Sequence, residues 1–431
     1  MTLYRGTVVD TPVSPFDGGA LRVEEDGGVL VRDGAILARG SFAAVRDAHP
    51  DEPVDDLCGG IVVPGFVDTH VHYPQVRIIG GLGMPLLEWL DRRALPEEAR
   101  LADDDYAAGV ATDFVGALTR AGTTSALVFG SHFPGAVDRL FEESARVGLR
   151  VTAGLVVSDR VLRPDLLVSP ETAYAESVRL AQRWHGAAGG RLRYAVTPRF
   201  SLSCTDAMLQ ACGSAVTAVP GVFFTSHVNE NAAEIAAVEA DFGASYGESY
   251  DRHGLLARRS VLAHNVHPTD AELDLLAARG TAISHCPTSN SALGSGLFPM
   301  RRHLQRGVRF ALGTDVGGGM TFSLLREALQ AYLVQQCLGE QRTPLSAAHL
   351  LHLATAAGAD ALDLPEVGDL SVGKRFDAVW LRPRAGSTLD VAASNAGDVE
   401  DALGTYFALA GSADVAGAFV DGQAVWRPAR G

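Results

Sequence analysis

Long hydrophobic runs are missing from this sequence. No apolar stretch approaches the roughly 18 uninterrupted residues that a membrane-spanning helix needs. The first residues reach Asp10 and Pro12 without forming the apolar core of a secretory signal. The sequence therefore predicts a protein that does not associate with membranes and that works in the cytoplasm.

Cysteine is scarce, and the spacing of the cysteines does not match a disulfide framework or a zinc finger. The five cysteines include no Cys-x-x-Cys pair, and their number is odd. This pattern argues against a disulfide scaffold and a structural zinc finger, and it agrees with a reducing compartment. The five are Cys58, Cys204, Cys212, Cys286 and Cys337.

Positive charge is also in deficit. The chain has 51 acidic and 36 basic residues, which gives a net charge of −15. Such a surface repels a phosphate backbone, so nucleic acid is excluded as a partner and a small-molecule substrate is favoured. With 431 residues, 47% of them apolar, the chain is long enough for an enzyme of more than one domain.

The middle of the chain alternates strands with helices. Eight stretches there are almost continuously apolar, as parallel strands buried on both faces are. Helical periodicity lies between them, for instance at 270–279 and 323–336. This order predicts an α/β fold with a (β/α)8 TIM barrel as the catalytic domain over residues 66–365. The predicted barrel strands are 66–72, 123–129, 150–157, 193–197, 222–227, 261–264, 282–285 and 309–313.

Both ends of the chain consist of short predicted strands separated by glycine and aspartate turns. We expect residues 1–65 and 366–431 to form one small, discontinuous β-sandwich domain. The strands predicted for it are 3–9, 28–32, 35–39, 61–63, 378–381 and 416–426.

Side chains that bind metals end several predicted barrel strands. In such barrels the carboxyl ends of the strands form the active-site face. The two histidines of the first strand are two residues apart, so they point to the same side. Three histidines and a carboxylate suit zinc or a similar divalent ion. The candidates for such a set are four histidines and one aspartate: His70 and His72 at the end of the first strand, His227 at the end of the fifth, His264 at the end of the sixth and Asp315 just after the eighth.

The number of metal ions is suggested by the lack of lysine. Binuclear sites need a bridging anion, often a carbamylated lysine or a carboxylate on a middle strand. The only lysine is Lys374, and the fourth predicted strand ends in Thr197-Pro198-Arg199 without an acid. We therefore expect one metal ion per chain.

Glu230 follows His227 by three residues. A carboxyl group beside a metal in a largely dry pocket can have a pKa suited to moving protons. The alternative is an exposed acid at the start of a helix, where it complements the helix dipole. The residues alone leave both interpretations open.

The remaining histidines carry weaker signals. His267 and His285 lie near the predicted barrel mouth, and their roles stay open. Six others are expected to be surface or helix residues: His132, His185, His253, His303, His349 and His352.

A family resemblance connects these motifs. Residues 64–75, with the sequence PGFVDTHVHYPQ, resemble the amidohydrolase superfamily. The Pro-Gln after His-x-His, the LLEWL block at 86–90 and the PRFS block at 198–201 are similar to its guanine deaminases in particular. The similarity runs through nearly the whole chain in order. Further matching segments are 122–124, 159–160, 197–204, 227–231, 263–264, 285–290 and 313–319.

The resemblance implies a deaminase that hydrolyses guanine to xanthine and ammonia with a zinc-activated water, a step of purine catabolism. It also implies one zinc ion per chain and a homodimer. The implied metal ligands are His70, His72, His227 and Asp315; the implied catalytic residues are Glu230, His264 and Asp315; and the implied substrate-binding residues are Gln75, Trp89, Arg199, Phe200, His227, Glu230 and Asp315.

Other functions remain possible at this point. A relative acting on a pterin, an oxidised purine or a triazine would share the metal ligands and differ around Gln75 and Arg199. An inactive scaffold would be expected to have lost metal ligands, whereas all are present. Zinc deaminases that act on cytidine carry a Pro-Cys-x-x-Cys motif that this chain lacks. Leu95 and Asn265 depart from the residues common in guanine deaminases, which bears on fine substrate preference.

Overall fold

Two sheets organise the molecule. The computed structural model describes residues 1–428. An eight-stranded sheet contains β5 to β12 in chain order, and a seven-stranded sheet is built from both ends of the chain. The strands are β1 Thr2–Asp10, β2 Arg22–Arg32, β3 Ala35–Ser41, β4 Val54–Pro64, β5 Phe66–His72, β6 Thr123–Ser131, β7 Arg150–Val157, β8 Leu192–Pro198, β9 Phe223–Val228, β10 Ser260–His264, β11 Ala282–His285, β12 Arg309–Leu312, β13 Ala378–Leu381, β14 Val415–Val420 and β15 Gln423–Trp426.

The eight-stranded sheet is the predicted barrel. Each strand pairs in parallel with its neighbour in the chain. Its first and last strands meet where Asp315 donates its backbone N–H to the His70 carbonyl over 2.8 Å, and His72 donates to Val316 over 2.9 Å. Backbone hydrogen bonds thus hold the candidate ligands His70 and His72 of β5 next to Asp315, which follows β12. The α/β barrel fold is confirmed.

The barrel strands are hydrophobic on both faces because helices cover them outside and side chains fill them inside. Every residue of β5, β6 and β7 is buried. The outer helices supply matching apolar faces: in α4, Val110, Phe114 and Leu118 recur at the four-residue spacing of one helix face and are buried. The helices are α1 Phe42–Ala48, α2 Leu86–Trp89, α3 Leu95–Ala99, α4 Asp104–Arg120, α5 Pro134–Val147, α6 Pro170–Trp184, α7 Asp206–Ala218, α8 Ala232–Phe242, α9 Tyr246–Asp251, α10 Asp270–Arg279, α11 Pro287–Ala292, α12 Met300–Gln305, α13 Leu324–Cys337, α14 Ala347–Ala354, α15 Ala356–Ala361, α16 Thr388–Ser394 and α17 Val399–Leu409.

The second sheet joins the two chain ends into one mixed sheet. Its strand order is β15-β14-β13-β4-β1-β2-β3, so the C-terminal β13 pairs with the N-terminal β4. A buried ion pair fixes it to the barrel: Arg150 of β7 donates to Asp377 over 2.6 Å. The strands predicted at both ends thus belong to one sheet, and the domain limits at residues 65 and 366 stay a prediction. Within the described part of the chain, no helix has the length and hydrophobicity needed to cross a bilayer.

Candidate metal and catalytic site

Four side chains converge at the carboxyl end of the barrel. His70 and His72 lie two residues apart on β5, and their Nε2 atoms are 3.0 Å apart. His227, in β9, brings its Nε2 within 3.4 Å of His72 Nε2. Asp315 Oδ1 lies 3.3 Å from His70 Nε2 and 3.1 Å from His72 Nε2. These residues are the four that the sequence predicted as ligands, and the structure brings all of them together.

The spacing of these atoms fits a tetrahedral metal ion. Ligands about 2.0–2.1 Å from zinc are roughly 3.3–3.4 Å from one another, and the four measured separations lie close to that value. Burial lowers the pKa of His72 to about 4 and that of His227 well below its ordinary value, so both imidazoles carry a free lone pair. Although burial opposes it, the contacts with the imidazoles of His70 and His72 hold the pKa of Asp315 well below its usual range.

Outer hydrogen bonds choose which imidazole nitrogen faces the site. His227 donates its Nδ1–H to the backbone carbonyl of Arg199 over 2.6 Å, which leaves Nε2 as a lone pair toward the ligand cluster. His264 is oriented in the same way, because its Nδ1 lies 2.9 Å from Asn290 Oδ1. The Nε2 atoms of both rings therefore face the ligand cluster.

The backbone is strained at two of the residues that end or follow barrel strands at the site. His264 and Asp315 have positive φ angles of 74° and 48°, in the left-handed region that residues other than glycine avoid. Conformations of this kind persist only where surrounding contacts hold them. Asp315 is held by its hydrogen bond to His70, and Asn265 donates its backbone N–H to Val228 over 2.9 Å just after His264.

Glu230 is buried beside the ligand cluster. One carboxylate oxygen lies 3.4 Å from His264 Nε2, and the other accepts a hydrogen bond from Ser295 Oγ over 2.9 Å. Burial, with the charge of Asp315, raises the pKa of Glu230 to about 8. It precedes α8, whose first turn is capped by Asn231 instead. An exposed helix-start role is therefore wrong for Glu230, since its exposed fraction is 3%.

A cavity opens beside these residues, and most of its lining is buried. The cavity brings together the metal-type end, the two carboxyl groups of Glu230 and Glu234, and the side chains predicted to bind substrate. It is lined by His72, Gln75, Leu86, Trp89, Leu90, Arg199, Phe200, His227, Glu230, Glu234, His264, Leu293 and Asp315.

Sequence reasoning missed Glu98, which organises the far end of the cavity. The side chain is buried, and its two oxygens have separate partners: Gln75 Nε2 donates to one over 2.7 Å, and Arg199 Nη1 donates to the other over 2.5 Å. Although burial opposes it, the charge of Arg199 holds the pKa of Glu98 well below its usual range. Gly317 fixes Gln75 from the other side by donating its N–H to Oε1 over 2.9 Å.

The expectation that His132 is a surface or helix residue is wrong. It follows β6, its side chain is 3% exposed, and its Nε2 lies 3.4 Å from Glu98. His303 does lie in a helix, but it is buried and accepts a hydrogen bond from Asn265. Leu95, which differs from the residue common in guanine deaminases, packs in one apolar cluster with Phe200.

The similarity to known proteins extends over nearly the whole chain. The model of the amidohydrolase family matches residues 61–425, and that of the bacterial imidazolonepropionase-like composite domain matches residues 27–51. A probable guanine deaminase of Deinococcus radiodurans is 57% identical over 99% of both chains. The chain belongs to the guanine deaminases of the amidohydrolase family.

Solved structures of this family agree with the fold. The guanine deaminase of E. coli superposes with a TM-score of 0.95 at 35% identity, over 99% of this chain and 100% of that one. A guanine deaminase from C. acetobutylicum, solved with guanine bound in its active site, has a TM-score of 0.91 at 26% identity, over 99% and 100% of the two chains. The membership inferred from the His-x-His, LLEWL and PRFS blocks is confirmed.

Proposed function

We propose that this chain hydrolyses guanine to xanthine and ammonia, using one zinc ion per chain. The observation that carries the proposal is a cluster of three imidazoles and one carboxylate that shares its cavity with a buried guanidinium and a buried amide. A relative of this family was solved with guanine in its active site. Purine catabolism is the matching role.

His70, His72, His227 and Asp315 are the residues that would hold zinc. Bound zinc supplies Lewis acidity, which makes a water molecule nucleophilic at neutral pH. A second group of metal-type side chains, His264, Cys286 and Asp315, shares Asp315 with the first group. One ion per chain is therefore part of the proposal, and elemental analysis of the purified protein tests it. Two tightly bound ions, both needed for activity, would contradict it.

The protein's own groups move the protons. In guanine, the carbon that bears the exocyclic amine is flanked by N1, which carries a hydrogen, and by N3, which does not. Glu230 therefore protonates N3, and Asp315 with His264 accepts the first proton that the attacking water loses. The second water proton, released as the new hydroxyl on this carbon becomes the carbonyl of xanthine, passes through the Glu230 carboxylate to the departing amine, so that the carbon–nitrogen bond breaks as ammonia leaves. The first water proton then returns to Glu230 and restores its acid form. The raised pKa of Glu230 keeps a proton available for this task.

The other end of the cavity binds the rest of the purine. Arg199 donates to Glu98 through Nη1, and its guanidinium has further N–H groups for the substrate carbonyl. Gln75 is held by Glu98 and Gly317 in one amide orientation. Trp89 and Phe200 line the cavity and supply apolar surface for a flat ring. Adenine has an amine in place of the carbonyl, so we expect it to be a poor substrate.

An ammonia-release assay under one set of conditions tests the proposal. Guanine is compared with adenine, a pterin, 8-oxoguanine and an aminotriazine, using zinc-reconstituted protein. Guanine should have the highest kcat/KM. A better pterin, oxidised purine or triazine would overturn the substrate while leaving the metal-dependent hydrolase class in place. The absence of any turnover would favour a scaffold.

A homodimer is part of the proposal, and light scattering that gives a particle near 45.3 kDa would contradict it.

A further inference from the structure

Glu234 is a second carboxyl group in the cavity, and the chemistry proposed above does not use it. It lies in α8, four residues after Glu230, and its exposed fraction is 1%. Glu230 itself precedes this helix, and both acids line the cavity together with Arg199.

The two oxygens of Glu234 have different environments. Tyr246 donates its hydroxyl to Oε1 over 2.5 Å. Oε2 is buried and has no hydrogen-bond partner within residues 1–428. An unpaired buried polar atom is costly, and native proteins contain few of them. A donor on the substrate would satisfy Oε2, because the cavity is the space that the side chain lines.

The substrate has one suitable donor beside the position that Glu230 must reach. If Glu230 faces N3 of guanine, the next hydrogen-bonding group along that edge is N9–H, on the atom attached to C4. Glu230 and Glu234 line the same cavity, so a second carboxyl group is available for the donor that follows N3 along the purine edge.

We propose that Glu234 accepts the N9–H of the purine through Oε2 and so selects for free bases against purines substituted or lacking a donor at that position. The inference rests on the proposed function. Tyr246 is a positioning residue in this scheme: by occupying Oε1 it leaves Oε2 as the oxygen that meets the substrate. Glu234 is a specificity residue, whereas Glu230 remains the proton donor.

The test pairs guanine with 9-deazaguanine, which has nearly the same shape but a C–H in place of N9–H. Its kcat/KM is compared with that of guanine for the wild type, Glu234→Ala, Glu234→Gln and the control Glu239→Gln on the exposed side of α8. 9-Deazaguanine also gains a proton on N7, but this change is common to all the enzymes and cancels in the comparison.

In the wild type we expect guanine to be preferred about 10- to 100-fold, because the analogue leaves a buried acceptor unpaired. Glu234→Ala should lose most of that preference by reacting more slowly with guanine alone. Glu234→Gln, which retains the size of the side chain, guards against a folding defect in the alanine variant and should lose the preference too. Glu239→Gln should keep it. Zinc content should be unchanged in all four proteins.

Two results would overturn the inference while leaving the proposed function intact. One is a wild type that turns over guanine but shows no preference between the two bases. The other is an equal decrease for both bases in the Glu234 variants, which would make Glu234 a structural residue. If the wild type fails to deaminate guanine, the proposed function itself is refuted, and the inference falls with it.

Discussion

The two ends of the cavity are built differently. At the metal end, each side chain lies at or just after the end of a barrel strand, and backbone hydrogen bonds between β5 and the segment after β12 set the spacing. At the substrate end, Arg199 and Gln75 are placed by a third side chain, Glu98, from the short helix α3. The metal end therefore depends on the barrel itself. Arg199 and Gln75 also follow barrel strands, but they depend in addition on one buried ion pair and one hydrogen bond to Glu98 in a separate segment.

The largest effect should come from removing a ligand at the metal end. Asp315→Ala and His70→Ala each take one corner from a four-ligand set. We expect loss of both zinc and measurable turnover in the purified protein, checked by elemental analysis and an ammonia assay. Because the barrel backbone sets the spacing, circular dichroism should remain that of the wild type. Full activity in thoroughly demetallated wild-type protein would contradict the metal requirement.

Glu230→Gln should separate chemistry from binding. The amide retains the shape of the side chain but cannot transfer a proton, and general acid–base catalysis contributes roughly 10²- to 10⁴-fold. We expect kcat to fall by about that factor, while zinc content and KM for guanine change little. Pre-steady-state and steady-state kinetics check this. A decrease confined to KM would show that Glu230 binds substrate without moving its proton.

The contrast between the ends also explains what could be predicted from the sequence. The metal ligands lie at the ends of apolar strands. Each can therefore be found from its own local sequence, by the strand pattern and the His-x-His spacing. Glu98 and Glu234 lack such a mark: each is one of several acids in its helical stretch, and only the packed fold shows that it is buried. The prediction for His132 failed for the same reason, since the residue beside it, Glu98, comes from a separate segment of the chain.

Glu98→Gln tests whether the substrate end depends on that third side chain. One side of the new amide faces a donor, so it cannot accept from both Gln75 and Arg199. Breaking a buried ion pair costs about 3–5 kcal/mol. We expect a lower melting temperature and an increase in KM for guanine that exceeds the decrease in kcat, with zinc retained.

The matched control is Glu97→Gln, the neighbouring acid on α3. It is 7% exposed and bonds Tyr106 and Arg100, away from the cavity. It should lose stability without a change in KM. Equal kinetic effects in the two variants would show that Glu98 acts only by holding α3 in place.

The smallest catalytic effect should come from the terminal sheet, where Asp10 has the same kind of surroundings as Glu98 but lies far from the chemistry. Buried Asp10 accepts hydrogen bonds from Arg22, Arg39 and the backbone N–H of Leu370, so it ties β1 to the C-terminal part of the chain. Although burial opposes it, the bond from Arg22 lowers the pKa of Asp10. We expect Asp10→Asn to lower the free energy of unfolding by about 3 kcal/mol and to leave kcat/KM for guanine unchanged.

The pH dependence of that variant follows from the direction of the pKa shift. A carboxyl group whose pKa is lower in the folded state stabilises the protein above its unfolded pKa of about 3.9, and the stabilisation is lost as pH falls through the folded value. The free energy of unfolding of the wild type, measured with denaturant, should therefore fall steeply below about pH 4. For Asp10→Asn this free energy should depend less on pH in the same window. Asp26→Asn is the control, because Asp26 pairs with Arg5 on the exposed surface, where solvent screens the pair, and the substitution should change stability little. Identical acid slopes for wild type and Asp10→Asn would show that Asp10 contributes no pH-dependent stability. A decrease in kcat/KM at neutral pH would show that the terminal sheet and the cavity are coupled, and that the two ends of the cavity do not account for its chemistry alone.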